Sequence, residues 1–434
     1  MNRASNISRR LAVAAGLLGA VLAFAGAAEA QTYALQGGTI HTLAGQTFVG
    51  TVVIRDGRIV DVGPNVQAPA GAEVVDVTGK HVYPGMFDAV SGLGLTEVGA
   101  VDVTNDSEEQ GDFKPHLQAA AGLHPATEHI PVARANGITH TMAAPQGGII
   151  AGQASLVGLD GWTVEEMEIE PGAAMVISFP SLTERRGYDG GGPSRAFAEV
   201  ERQYKERVAR LDEWMEGGRQ YARAAAAGQA ERDLALEAMA KVVSRETPVL
   251  LEANGERDIR NAVEWAERQN IHYVITGGSQ GWKIADWLAG KHVQMILGPS
   301  QVMPSGSDPS YDEAYANAAK LHAAGVKIAF ATFNSSDSRT LPYEAAMAVP
   351  FGLPQEAALE AVMKNGAEML GLGDRLGTIE PGKIADLIVT DGNPLEIQTQ
   401  VLDLFILGRQ VSTDNKHKSL WEKYRARPKE RVIS

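Results

Sequence analysis

The stretch PVLLEANGERDIRNAVEWAERQNIHYVITGGSQGWKIADWLAGKHVQMILGPS, residues 248–300, decides the fold. It alternates strand-length apolar runs with helical ones. Residues 248–251 form one such run. Residues 258–268 then place Ile259, Ala262, Val263 and Ala266 at i, i+3, i+4 and i+7, one buried helical face. The next run is 273–275, followed by a helix around 283–288 and a third run at 293–297. Beyond it come a helix around 311–323 and the run 326–331. Repeated strand–helix units predict a parallel sheet with right-handed crossovers. Seven or eight of them over about 300 residues predict an α/β fold of the closed (β/α)8 TIM-like barrel type.

Working outward, both ends of the chain read as strands. Upstream, 33–43, 51–62 and 73–77 are short β-branched runs. Asp56-Gly57 marks a hairpin turn between two strands, because Gly tolerates positive φ. Residues 64–71 are a loop rich in Pro, Ala and Gly. Downstream, 385–390 and 404–411 return to strand character, the second passing through Gly408-Arg409. The expected architecture is a small β-sandwich unit built from 31–83 with 384–412, the barrel over 84–383, and a tail over 413–434. The tail reads as a short charged helix, with Trp421 and Tyr424 at i, i+3 packing it down.

The 434 residues carry 39 Lys and Arg against 53 Asp and Glu, a net charge of −14, and no cysteine. That excludes disulfide scaffolds, thiolate zinc sites and thiol nucleophiles. The acidity argues against nucleic acid as a partner. Arg3, Arg9 and Arg10, a small apolar stretch over 11–27 and Ala28-Glu29-Ala30 form a signal peptide with a small-x-small cleavage site. Ser8-Arg9-Arg10 resembles a twin-arginine signal that Leu11-Ala12 leaves incomplete, so the Sec and twin-arginine routes both stay open. Cleavage puts Gln31 first, leaves a charge of −16, and predicts a periplasmic or secreted protein. No later segment reads as a membrane span.

Four motifs are specific in combination: VVIRDGRIVDVG (52–63), VDVTGKHVYPGMFDA (75–89), RANGITHTMAAPQGGIIAGQASLVGL (134–159) and LGTIEPGKIADLIVTDGNPL (376–395). Together they resemble the amidohydrolase superfamily, in particular its imidazolonepropionase-like branch, across nearly all of the mature chain. The resemblance implies a metal centre at the C-terminal mouth of the barrel. A His-x-His pair on strand one, a His on each of strands five and six, and an Asp on strand eight would hold divalent ions. Such a metal lowers the pKa of bound water from 15.7 toward about 7.

At those positions this chain has Val90 and Gly92, Glu252, Gly277 and Phe333. Val, Gly and Phe offer no lone pair, so no metal site and no cofactor is expected. Glu252 has a carboxylate that suits a hard cation. Substrate-pocket candidates are Gln153, Glu252, Asn254, Asp337 and Arg339, together with Ser155. Asp258 is a further residue near a strand end. The bland alternative is a buried Glu252–Arg339 ion pair filling the old cavity.

The remaining motifs are weak. His116, His124, His129 and His140 have spacings of 8, 5 and 11, which are not ligand spacings on one helix, and His140 is the one placed at a strand end. The other histidines read as structural. Gly147-Gly148 to Gln153 is a Gly-rich loop over the barrel mouth, without the Lys and Ser/Thr of a phosphate cradle. PSGSD at 304–308 is a turn, not a nucleophile elbow. The charged run 199–223 is the solvated face of an outer helix.

Three readings of function stand. The first is a metal-depleted, non-catalytic amidohydrolase-family protein that binds a small-molecule ligand or regulates, as an oligomer with itself or with an intact paralogue. The second is an active hydrolase of carbon–nitrogen bonds in cyclic amides or dipeptide-like substrates, with an atypical site that would use a divalent metal such as zinc, or none. The third is a structural partner without a ligand. Fold alone does not choose among them.

Overall fold

A computed structural model describes residues 31–182, 196–303 and 310–427. In chain order the strands are β1 (Tyr33–Ile40), β2 (Phe48–Arg55), β3 (Arg58–Gly63), β4 (Glu73–Asp76), β5 (His81–Pro84), β6 (Met86–Ser91), β7 (Ile138–Ala143) and β8 (Ile150–Gly158). They continue as β9 (Glu168–Ser178), β10 (Val249–Ala253), β11 (Tyr273–Gly277), β12 (Gln294–Leu297), β13 (Lys327–Phe330), β14 (Leu387–Thr390), β15 (Val401–Ile406) and β16 (Arg409–Val411). The signal-peptide segment and the PSGSD turn lie outside the described residues.

Two sheets organise the chain. The first runs β16-β15-β14-β5-β1-β2-β3, with β4 added beside β1, so strands from both chain ends meet where β14 pairs antiparallel with β5. Asp56 and Gly57 take φ +51° and +75° between β2 and β3, the double positive φ of the tight hairpin turn. The expected strand 404–411 is instead a hairpin: Leu407 and Gly408 turn at φ +51° and +73°, which separates β15 from β16. A Cβ on Gly408 would stand 2.5 Å from Gly57 Cα, so these two turns stack backbone to backbone.

The second sheet runs β6 through β13 in order and nearly closes as an eight-stranded barrel. From β9 onward the strands are parallel with helices between them, as the 248–331 pattern predicts. Ile259, Ala262, Val263 and Ala266 on helix Glu256–Gln269 are all fully buried. Phe87, Ala89, Met142, Leu156, Leu250, Val274, Ile296 and Ala329 share one interior cluster, so the barrel is packed rather than hollow. Each large aliphatic side chain there contributes about 1.5–3 kcal/mol by burial.

β8 departs from the (β/α)8 plan. It pairs antiparallel with both β7 and β9. Only residues 144–149 connect β7 to β8, too few for a crossover helix, and Gly147 and Gly148 at φ +79° and +73° reverse the chain. The segment 150–153, expected as loop, is therefore the start of a strand.

The barrel closes through a side chain rather than a strand ladder. Thr332 donates from its backbone N to Asp88 Oδ1 (3.0 Å) and from Oγ1 to Oδ2 (2.5 Å), Ser338 Oγ donates to Oδ2 (2.8 Å), and Phe333 N donates to Val90 O (2.9 Å). The carboxylate of β6 takes the place of missing rungs between β6 and the end of β13. Asp88 is fully buried, and that burial pushes its carboxyl up to about 7 against the pull of these donors.

The two sheets are joined at His140 in the middle of β7, not at a strand end. Its Nε2 lies 2.5 Å from Asp386 Oδ2, both side chains being buried, and Asp386 Oδ1 accepts from Leu407 N at 2.6 Å. The outer helix Phe197–Ala226 buries Leu211, Met215 and Gly218 and is otherwise largely solvated, as its charge pattern implies. The tail forms the helix Lys416–Arg425, but none of its residues is buried, so Trp421 and Tyr424 do not pack it down.

Candidate functional site

The barrel mouth is formed by the C-terminal ends of the parallel strands. Glu252 stands near the end of β10 and Asn254 just after it, Gly277 ends β11, Leu297 ends β12 with Gly298 next, and Phe333 follows β13. Ser178 at the end of β9 donates from Oγ to Glu252 Oε2 at 2.7 Å. Glu252 thus pairs with a hydroxyl of the neighbouring strand. No Glu252–Arg339 ion pair forms: Arg339 lies in the 3-10 turn Ser338–Thr340, hydrogen-bonds Ser336 O, and has Asp337 Oδ1 at 3.9 Å.

Gly277 is the most informative position. It adopts φ +88°, and a Cβ there would stand 2.5 Å from Asn254 Oδ1. The Asn254 amide occupies the space that a side chain on β11 would need. Phe333 is also in the left-handed region, at φ +54°, held by its N–H on Val90 O. An aromatic residue rarely takes that conformation without support from its surroundings. Gly92 has ordinary room, with Ser335 N at 3.6 Å and Gln146 Nε2 at 3.8 Å from a built Cβ. Replacing Gly277 by His therefore strains the backbone and displaces Asn254, and a loss of about 1–3 kcal/mol is expected in urea unfolding. Gly92→His should fall well below that, and adding Asn254→Gly to Gly277→His should recover part of its loss. Equal effects at positions 92 and 277 would contradict this picture.

Beside Asn254 opens a cleft of about 240 Å³. Its floor is glycine backbone, Gly277 and Gly298, whose built Cβ lies 3.8 Å from Gly277 Cα. Asn254, Ser279, Gln280 and Asn317 supply polar groups, and Leu297 and Phe330 supply apolar wall. Asn317 is already committed: Oδ1 accepts from Trp282 N and Nδ2 donates to Gly278 O. Its acid, Glu313, accepts from Trp282 Nε1 at 3.2 Å. Among the described residues that line the cleft, none is lysine or arginine.

The other anticipated residues lie apart. Gln153 sits within β8, between Gly152 and the inward-facing Ala154, and donates to Pro115 O at 2.8 Å. Ser155 is fully buried near Gly172 N. Asp258 fixes the 181–182 segment, accepting from Ser181 Oγ and Leu182 N. Glu252 and Asn254 are thus brought to one edge of the mouth, while Asp337 and Arg339 form a local pair on the segment after β13.

Among the described residues no three or more His, Asp or Glu side chains converge as a metal-holding group. At the positions where the resemblance places ligands, the described residues offer the one carboxylate of Glu252, with the Asn254 amide, glycine and phenylalanine beside it. These residues do not fit a metal centre of the three-ligand kind.

A family model described as the amidohydrolase family matches residues 162–416, more than half of the sequence. The chain belongs to the amidohydrolase family. It is 28% identical to an amidohydrolase from Thermotoga maritima MSB8 of known crystal structure, with a TM-score of 0.75 covering 88% of this chain and 99% of that one. It is 22% identical over 410 residues to Amidohydrolase tasK of Hapsidospora irregularis, covering 83% of this chain and 40% of that protein. A 74-residue segment is 47% identical to an imidazolonepropionase of Aromatoleum aromaticum, covering 16% of this chain and 18% of that enzyme. The chain thus spans less than half the length of these two curated relatives. No helix among the described residues is long and apolar enough to cross a membrane.

Proposed function

We propose that this amidohydrolase-family chain is an exported protein that binds a small, uncharged ligand at the barrel mouth and does not hydrolyse through a metal-bound hydroxide. The observation that carries this reading is the Asn254 amide filling the space above Gly277. A ligand-bearing side chain there would have to displace it. Gly277 and Gly298 line the cleft with backbone, and the Asn254 amide beside them carries both a donor and an acceptor, as a planar amide would need. In the same reading, 31–83 and 384–412 form a compact β-sandwich beside the barrel of 84–383, and the mature protein starts at Gln31. An intact paralogue or a second copy is the partner.

Elemental analysis of the purified protein tests the central claim. Below about 0.2 divalent ions per chain is expected after mild dialysis, since one carboxylate does not hold an ion against water and buffer. The second reading, a working carbon–nitrogen hydrolase, rests on the hydrolase relatives and on Glu252 at the mouth. Near-stoichiometric zinc, manganese or iron that disappears in Glu252→Ala would replace the first reading with the second.

A further inference from the structure

The chain is acidic as a whole, yet its C-terminal helix is basic. Lys416, Lys418, Lys423, Arg425 and Arg427 stand there against Glu422. His417, Leu420, Trp421 and Tyr424 fall at i, i+3, i+4 and i+7, one face of the helix Lys416–Arg425. That face is uncovered: Leu420 is 37%, Trp421 58% and Tyr424 47% exposed. Arg425 and Arg427 lie over the Trp421 and Tyr424 rings at 4.4 and 4.3 Å. Basic side chains thus border an apolar aromatic stripe.

The helix packs on helix His129–Arg134. A segment of opposite chemistry is tied to the start of that same helix, because His129 Nε2 donates to Glu97 O at 2.8 Å. Residues 97–112 read EVGAVDVTNDSEEQGD, with six acidic side chains and no basic one. Val98, Val101 and Val103 are exposed there, Val103 at 90%. Among the described residues no ion pair joins 97–112 to 416–427 within one chain; Asp106 pairs with His124, Asp112 with Arg210, and Arg425 with Glu422.

We propose that the basic aromatic helix of one copy docks on the acidic, valine-bearing segment 97–112 of a second copy. Both surfaces flank one short helix, so a two-fold axis between them makes the contact twice, helix to loop and loop to helix. The chemistry favours a second copy over an anionic lipid surface. A bilayer would repel the acidic segment that lies within a short distance of the helix, whereas the segment itself supplies the charge and the apolar contact the helix lacks.

Sedimentation velocity on the purified full chain tests this. A dimer is expected at about 50 µM protein in low salt, weakening at least about tenfold at high salt. Lys423→Glu with Arg427→Glu should weaken it by a further factor of about ten or more, and adding Asp102→Lys and Glu109→Lys to that variant should restore it. All these positions are on the surface, so circular dichroism and unfolding midpoints should stay unchanged. Three results would overturn the proposal: a monomer under all conditions, a dimer indifferent to the charge reversals, or reversals that the compensating lysines do not rescue. A monomer that sediments with phosphatidylglycerol vesicles through Trp421 would assign the helix to a membrane surface instead.

Discussion

Replacing Asp88 by Asn is expected to shift the pH dependence of stability by about 3 kcal/mol between pH 4 and pH 7. Burial raises the Asp88 carboxyl from 3.8 to about 7 in the folded chain. Over that window the folded state holds a proton that the unfolded state has released, so this group's contribution falls as pH rises and levels off above about pH 7. The Asn variant has no such proton. Urea unfolding of both proteins should show the variant gaining on the wild type with rising pH. The comparison is needed because His41 acts in the opposite sense. Burial and then the charge of His81 depress His41 to about 4, so its contribution is lost as pH falls from 6.5 toward 4. The difference between the two proteins removes His41. A gap that stays constant from pH 4 to 7 would show that Asp88 is ionised throughout.

The second large effect is expected at the junction of the sheets. Truncating Asp386 to Ala leaves His140 buried without its partner and takes the acceptor from Leu407 N. Leaving a buried polar group without its partner costs about 1–3 kcal/mol for each group stranded, here the imidazole and the Leu407 N–H. Replacing both residues by apolar side chains of similar volume, His140→Phe with Asp386→Leu, should return part of that loss, because the imidazole is then no longer stranded and only Leu407 N lacks its acceptor. Urea midpoints of the single and double variants measure this. A loss below about 1 kcal/mol for Asp386→Ala would mean that the contact contributes little to holding the sheets together.

Much of this architecture can be read from residues 248–331, where each apolar run is short and each helix is amphipathic. Ile259, Ala262, Val263 and Ala266 face inward because no other face of that helix is apolar. The reading fails at β8 for a physical reason. Residues 150–158 are apolar and β-prone in either direction, and strand direction is set by the length of the connection, here six residues with two glycines. That Val90, Gly92, Gly277 and Phe333 carry no donor side chain is plain from the residue types. That the Asn254 amide stands over Gly277 is not, because the two meet only when β10 and β11 pair in register. Asp88 and Asp386 carry a signal in the sequence. Each is a carboxylate inside an otherwise apolar run, FDAV and IADLIV, and such a group needs a partner brought from far along the chain. The place of Gln153 depends on β8 in the same way: once the segment is a strand, alternation sends Ala154 inward and Gln153 toward Pro115.

The Asp88 seal between β6 and the end of β13 also sets an order of assembly. Its contact with Thr332 spans 244 residues. Bringing segments so distant together costs about 5 kcal/mol of chain entropy before any contact repays it. The β14–β5 pairing reaches farther still, from Leu387 back to Pro84. The meander β7-β8-β9, by contrast, joins neighbours along the chain and can zip early. A ribosome or translocon therefore delivers β5 and β6 long before β14 and the segment after β13 exist, whereas β1 to β4 already have neighbours to pair with. Through most of synthesis the apolar edge of β6 waits unpaired, and the carboxylate meant to close the ring stays in water. Slow steps in refolding should accordingly track β14 and the segment after β13 rather than the hydrophobic centre of the barrel.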